Sequence, residues 1–145
     1  MSNFNLLRVA DVRRETEDTV SVSFNVPDEL REDYRFDPGQ YLTLKRLIGD
    51  MDVRRSYSIC TSPGEQELRV AIKQVEGGLF SSYANQELKS GDELEVMTPM
   101  GKFCPKLDSA NSKSYLLIAA GSGITPILSI AKSVLELEPD STVTL

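Results

Sequence analysis

Hydrophobic residues fall on every second position through most of this chain, and near its end the pattern changes to an unbroken apolar run. Val20, Val22, Phe24 and Val26 alternate with Ser21, Ser23 and Asn25, which predicts a strand with one buried and one wet face. Similar segments occur at Leu7 to Val12, around Leu42 and Leu44, from Val53 to Ile59, at Leu68, Val70 and Ile72, and from Asp92 to Val96. Turn residues punctuate them: Pro27-Asp28, Asp37-Pro38-Gly39, Gly49-Asp50 and Ser62-Pro63-Gly64. Only Gly78 to Leu88 carries helical spacing within this part, with Leu79, Tyr83 and Leu88 on one face. A mainly β architecture is therefore predicted over residues 1–105, a small six-stranded antiparallel barrel with one inserted helix.

Residues 106–113 are polar and rich in small side chains and read as a linker. Beyond it, Tyr115 to Ala120 is continuously apolar, as in a parallel strand covered on both faces. A helical segment from Pro126 to Leu135 follows, Pro126 suiting a first turn, and Pro139-Asp140 ends it before a strand at Thr142 to Leu145. Residues 114–145 thus read as the first βαβ unit of an α/β domain cut short. The chain is expected to be a fragment of a longer protein, whose uncovered apolar strand would seek a partner, as a dimer through residues 114–145 or by collapse onto the barrel.

Composition narrows the chemistry. The 145 residues include 22 acidic and 16 basic side chains, for a net charge of -6, which argues against a nucleic-acid partner. No apolar stretch reaches the ~20 residues of a membrane span, and the first residues lack the pattern of a secretory signal, so a cytoplasmic protein is expected. The absence of histidine removes Ser-His-Asp hydrolysis and His-based zinc chemistry. Cys60 and Cys104 match no metal-binding spacing and read as free thiols, so no metal is expected.

Three segments carry candidate chemistry. On the fourth strand, Arg55-Ser56-Tyr57-Ser58 puts a guanidinium and an aromatic ring on one side by alternation, suited to a phosphate and to the face of a flat ligand. Gly77-Gly78-Leu79-Phe80-Ser81 opens the predicted helix, where free amides and the helix dipole favour an anion, with Ser81 a possible hydroxyl donor. Gly121-Ser122-Gly123-Ile124-Thr125-Pro126 turns from a strand into a helix, the position where open α/β sheets bind ligands, although it lacks the third glycine of the usual dinucleotide fingerprint. Each segment taken alone also serves as an ordinary strand or turn.

In this order the segments resemble the ferredoxin-NADP reductase superfamily, whose RxYS and GxxS flavin motifs and nucleotide loop they match, with Phe36-Asp37-Pro38-Gly39-Gln40 similar to its FxPGQ turn. The likeness is strongest to reductase components of phenylacetate-degrading and related oxygenase systems. It implies a Greek-key FAD-binding barrel followed by a truncated NAD(P)-binding domain. It also implies that Arg55 holds the flavin pyrophosphate, that Tyr57 stacks on the isoalloxazine, that Ser58 bonds near the reactive nitrogen, and that Ser56 belongs to the same cofactor-binding segment. Tyr57 and Ser58 would then be the catalytic pair. Ala71, Ile72 and Lys73 would line the ribityl and diphosphate portion, and Gly77, Gly78, Leu79, Phe80 and Ser81 would close on the pyrophosphate. Gly121, Ser122, Gly123, Thr125 and Pro126 would meet the nicotinamide half of NAD(P)H. The implied task is electron transfer from NAD(P)H through FAD to an iron-sulfur protein or oxygenase. The 145 residues are expected to bind FAD without turning over. A non-catalytic flavin-binding scaffold is the alternative, and an RNA-binding barrel of translation-factor type is disfavoured by the acidity.

Overall fold

A computed structural model describes residues 3–145. Six antiparallel strands form one sheet: β1 (Phe4–Thr16), β2 (Thr19–Asn25), β3 (Tyr41–Ile48), β4 (Met51–Ser58), β5 (Leu68–Lys73) and β6 (Glu93–Met97). Their order across the sheet is β4-β3-β6-β1-β2-β5, so the last strand returns to lie between β3 and β1 in Greek-key fashion. All six strands expected from alternation are present. The alternating positions build the core: Leu7, Val22, Leu42, Leu44, Val70, Ile72 and Val96 are fully buried. At about 1.5–3 kcal/mol for each large aliphatic side chain removed from water, this interior dominates the folding energy.

The sheet curls until its two edges meet, but only at one point. β4 pairs along its length with β3 alone, and β5 with β2 alone. Beyond the end of β4, Ile59 bridges Val70, and the Cys60 amide donates to the Arg69 carbonyl at 3.0 Å. Below that bridge a seam stays open between the facing edges of β4 and β5. Helix α1 (Leu79–Gln86) packs against both strands, with Phe80 fully buried in the core.

Turns hold the strands in place for identifiable reasons. Gly39 has φ +104°, and a Cβ there would collide with the Phe103 carbonyl, so only glycine fits this turn. Outside the barrel, the buried Arg69 guanidinium bonds to Asp11 and Glu67, each at 2.6 Å, and to Ser21 at 2.7 Å, stitching β5 to β2 and β1.

The C-terminal segment forms the expected parallel βαβ unit: β7 (Ser114–Leu116), α2 (Ile124–Leu137) and β8 (Thr142–Thr144). Here one expectation is corrected. The strand read as Tyr115 to Ala120 is only three residues long, and its faces are not both covered, since Leu116 and Ile118 are 70% and 81% exposed. Among the described residues β8 is the only strand paired with β7, and the ladder ends at Leu117, whose amide donates to the Thr144 carbonyl. Residues 108–113 are tied down rather than loose. Glu138, fully buried, accepts bonds from the Asp108 amide, the Asn111 amide nitrogen, the Tyr115 hydroxyl and the Ser141 hydroxyl.

Helix α2 is docked on the barrel. The Ser129 hydroxyl donates to the Thr61 carbonyl at 2.7 Å, Lys132 pairs with Glu65 at 2.9 Å, and the Ser62 hydroxyl donates to Glu136 at 2.7 Å. Among the described residues no helix is long and apolar enough to cross a membrane, and no cluster of side chains is able to hold a metal ion.

Candidate functional site

Strand register decides which motif side chains share a face. Leu42 lies opposite Tyr57 and Leu44 opposite Arg55, so Arg55 and Tyr57 both project to the side of the barrel interior. Ser56 projects the other way, its hydroxyl 2.9 Å from that of Thr43 on the outer face. Tyr57 is half-buried with its ring 6.0 Å from that of Phe80, tilted by 35°. Burial pushes its phenol up to about 12 against the pull of Arg55, so the ring stays neutral. Arg55 reaches solvent, has no carboxylate partner among the described residues, and bonds only to the neighbouring Arg54 carbonyl.

The start of α1 lies beside this ring because Phe80 belongs to its first turn. Gly78 caps the helix without any side-chain acceptor for the first-turn amides, leaving the amides of Leu79, Phe80 and Ser81 for an external acceptor. The Ser81 hydroxyl is engaged in the turn itself, accepting from the Val75 amide at 3.1 Å. A Cβ on Gly78 would strike that hydroxyl and Val75, so the tight approach requires glycine. Ile72 is fully buried and offers a ligand only its backbone, while Lys73 is exposed and 3.6 Å from Asp18. Gly77 has φ +70° and open space around it.

The third segment sits at the N-terminal end of α2. Gly121 to Gly123 form a short 3-10 turn, Ile124 begins the helix, Pro126 lies in its first turn, and Thr125 donates to the Ser122 carbonyl at 3.0 Å. Gly121 and Ser122 are exposed. The bond from Ser129 to Thr61, three residues past Ser58, ties α2 to the Ser58 end of β4.

A cavity of about 990 Å³ lies elsewhere, between Tyr34, Phe36, Gln40, Gln66 and Leu68. It has none of the three motif segments on its walls. Its arginines, Arg31 and Arg35, are neutralised by Asp28 and Glu32, so it offers an anion little. The seam between β4 and α1 has what the cavity lacks, an uncompensated cation and unbonded helix-start amides, and it sets them beside the Tyr57 ring.

Motif reading missed two residues packed together near the Arg55 face of the ladder. The Arg46 guanidinium lies over the Tyr83 ring at 4.4 Å. Arg46 is in phase with Leu42 and Leu44, so a cation stands where alternation calls for an apolar side chain; that break in pattern was the available signal.

Comparison with known proteins gives this arrangement its context. Residues 6–104 match the family model described as oxidoreductase FAD-binding domain. The chain belongs to this family of FAD-binding domains. It is 48% identical over 145 residues to a component of the 1,2-phenylacetyl-CoA epoxidase of Escherichia coli, covering 100% of this chain and 41% of the relative. It is 42% identical over 133 residues to the ferredoxin reductase component of 3-ketosteroid-9-alpha-monooxygenase of Rhodococcus rhodochrous, covering 90% of this chain and 37% of the relative. Phthalate dioxygenase reductase, of known structure, superposes with a TM-score of 0.76 at 27% identity over 97% of this chain and 43% of that one. The chain therefore spans about two fifths of the length of these relatives. As an FAD-binding domain it has a seam whose donors suit the cofactor: Arg55 and the α1 amides for phosphates, and Tyr57 for a planar ring.

Proposed function

We propose that this chain is the FAD-binding part of a cytoplasmic reductase that passes electrons from NAD(P)H, through FAD, to a one-electron acceptor such as an iron-sulfur protein or an oxygenase component. The observation that carries the reading is the convergence of Tyr57, stacked toward Phe80 at 6.0 Å, with a cation two residues away and an uncapped helix start. The names of the relatives, an epoxidase component and a ferredoxin reductase component, supply the class of acceptor. The free thiols of Cys60 and Cys104 suit a reducing compartment.

In this assignment bound FAD supplies the hydride and single-electron chemistry, and the protein sets orientation. Arg55 and the amides of Leu79, Phe80 and Ser81 hold the diphosphate. Tyr57 covers one face of the flavin ring as a neutral phenol, and its support on Phe80 fixes the plane. Ser58, the last residue of β4, follows Tyr57 and shares the Ser56 face by alternation, so it would meet the ring edge chiefly through its backbone. Gly121, Ser122, Gly123, Thr125 and Pro126 receive the nicotinamide portion of NAD(P)H at the Ser58 end of the barrel. No proton-transfer base is needed, in keeping with a chain without histidine.

Reconstitution tests this. The purified chain mixed with FAD is expected to retain a visible flavin band through gel filtration, and Tyr57→Ala to shift that band. Arg55→Ala should weaken binding by about 1.5–3 kcal/mol, the worth of a hydrogen bond to a charged group. Sustained NAD(P)H oxidation by these 145 residues alone is not expected, since a single βαβ unit stands behind the glycine turn. Failure to retain flavin, or indifference to both substitutions, would overturn the assignment.

A further inference from the structure

The face of the β3–β4 ladder that carries Arg55 holds a second guanidinium that no motif includes. In the β3–β4 ladder Arg46 faces Val53, and Leu44 faces Arg55, so Arg46 and Arg55 are diagonal neighbours on one face, within reach of each other's long side chains. Both lack a carboxylate partner among the described residues, in a chain with 22 acidic side chains against 16 basic ones. Two like charges on one face repel each other, and only the Tyr83 ring and the Glu93 carbonyl offset the Arg46 charge, in part. Arg46 is also held in place: its guanidinium lies over Tyr83 of α1 at 4.4 Å, and one nitrogen reaches the Glu93 carbonyl at 3.4 Å. The arrangement fixes a cation whose remaining N–H groups have no acceptor among the described residues.

Spacing indicates what such a pair recognises. Along β4 the same face carries Tyr57, then Arg55, then the row of Val53 and Arg46, each backbone step about 6.8 Å, a gap that two long arginine side chains span to converge on neighbouring phosphates. A ligand whose ring lies on Tyr57 meets Arg55 with its first phosphate, and only a longer ligand, with a second phosphate, meets Arg46. We propose that Arg46 is the residue by which this site prefers a flavin dinucleotide over a flavin mononucleotide, acting as the second guanidinium on the diphosphate. Arg55 contacts the phosphate common to both; Arg46 contacts the one that FAD alone carries. The assignment rests on the flavin reading above and extends it.

Titration of the apo-chain with riboflavin, FMN and FAD, followed by flavin fluorescence, tests the proposal without any turnover. The wild-type chain is expected to bind FAD at least tenfold more tightly than FMN. Arg46→Gln should raise the Kd for FAD about tenfold and the Kd for FMN less than twofold, whereas Arg55→Gln should raise both. Arg46→Lys, which keeps the stem and the charge but loses the fork, should fall between wild type and Arg46→Gln, and it serves in place of Arg46→Gln if thermal melting shows the latter unfolded. Equal losses for FAD and FMN in the Arg46 variants, no loss for either, or a wild type that binds FMN as tightly as FAD each overturn the role of Arg46 while leaving flavin binding intact. A wild type that binds none of the three flavins overturns the flavin reading and this proposal with it.

Discussion

Tyr83 shows how a single side chain serves two ends at once. Its ring packs edge-on to Phe80 at 6.1 Å and carries Arg46 on its face, yet its buried hydroxyl has no hydrogen-bond partner among the described residues. Burial pushes its phenol up while Arg46 pulls it down. An orphaned buried hydroxyl costs about 1–3 kcal/mol, so Tyr83→Phe, which keeps the ring under Arg46, is expected to raise the melting temperature and leave FAD affinity unchanged. A lower melting temperature in thermal denaturation would show that the hydroxyl has a partner in solution. At this scale the sequence revealed Arg55 and Tyr57 because they sit inside a recognisable string. Arg46 carries no string around it, and its place beside them comes from a neighbouring strand.

Among the elements, α1 and the turns around it show why certain positions accept only glycine. Gly78 has φ -76°, which any residue adopts, so its constraint is space: a methyl would strike Ser81 and Val75 at the helix start. Gly78→Ala is therefore expected to weaken FAD binding by displacing the first-turn amides, with a smaller loss of stability, measured by flavin titration and melting. Gly39→Ala joins a left-handed backbone to a collision with the Phe103 carbonyl. It should destabilise by roughly 2 kcal/mol or more, since strain and overpacking each cost about 1–3. The glycine turns and strand phases were legible from composition and alternation. The length of β7 was not, because six apolar residues in a row do not say how many partners a strand will find, and the paired strand ends at Leu116.

For the molecule as a whole, the question is how the linker and the βαβ unit close on each other. Glu138 is the central knot of that closure. Burial alone would raise its pKa, but the bonds from Asn111, Ser141, the Asp108 amide and Tyr115 outweigh burial and hold it at about 2. Because that lies below the ordinary 4.5, its contribution to stability is complete above about pH 4.5 and disappears as the pH falls toward 2. Glu138→Gln should accordingly lower the melting temperature at pH 7, and the gap to wild type should close between pH 4.5 and 2. A gap independent of pH over that range would mean that the carboxylate is not the group that matters. No motif pointed to Glu138, whose donors come from positions 108 to 141 and are gathered only when the chain closes.

The sequence by itself determined the strands, their buried faces, the glycine turns and the membership in a family of FAD-binding domains, because each depends on local spacing and on residue type within a few positions. Tertiary structure alone decided that the chain past β4 bridges β5 at Ile59 and Val70, leaving a seam below, and that Arg46 lies on Tyr83, one row from Arg55 on the same face of the ladder. Those outcomes depend on strand order and register across the sheet. Contacts between residues dozens of positions apart are set by how all the elements pack together, which no local pattern encodes.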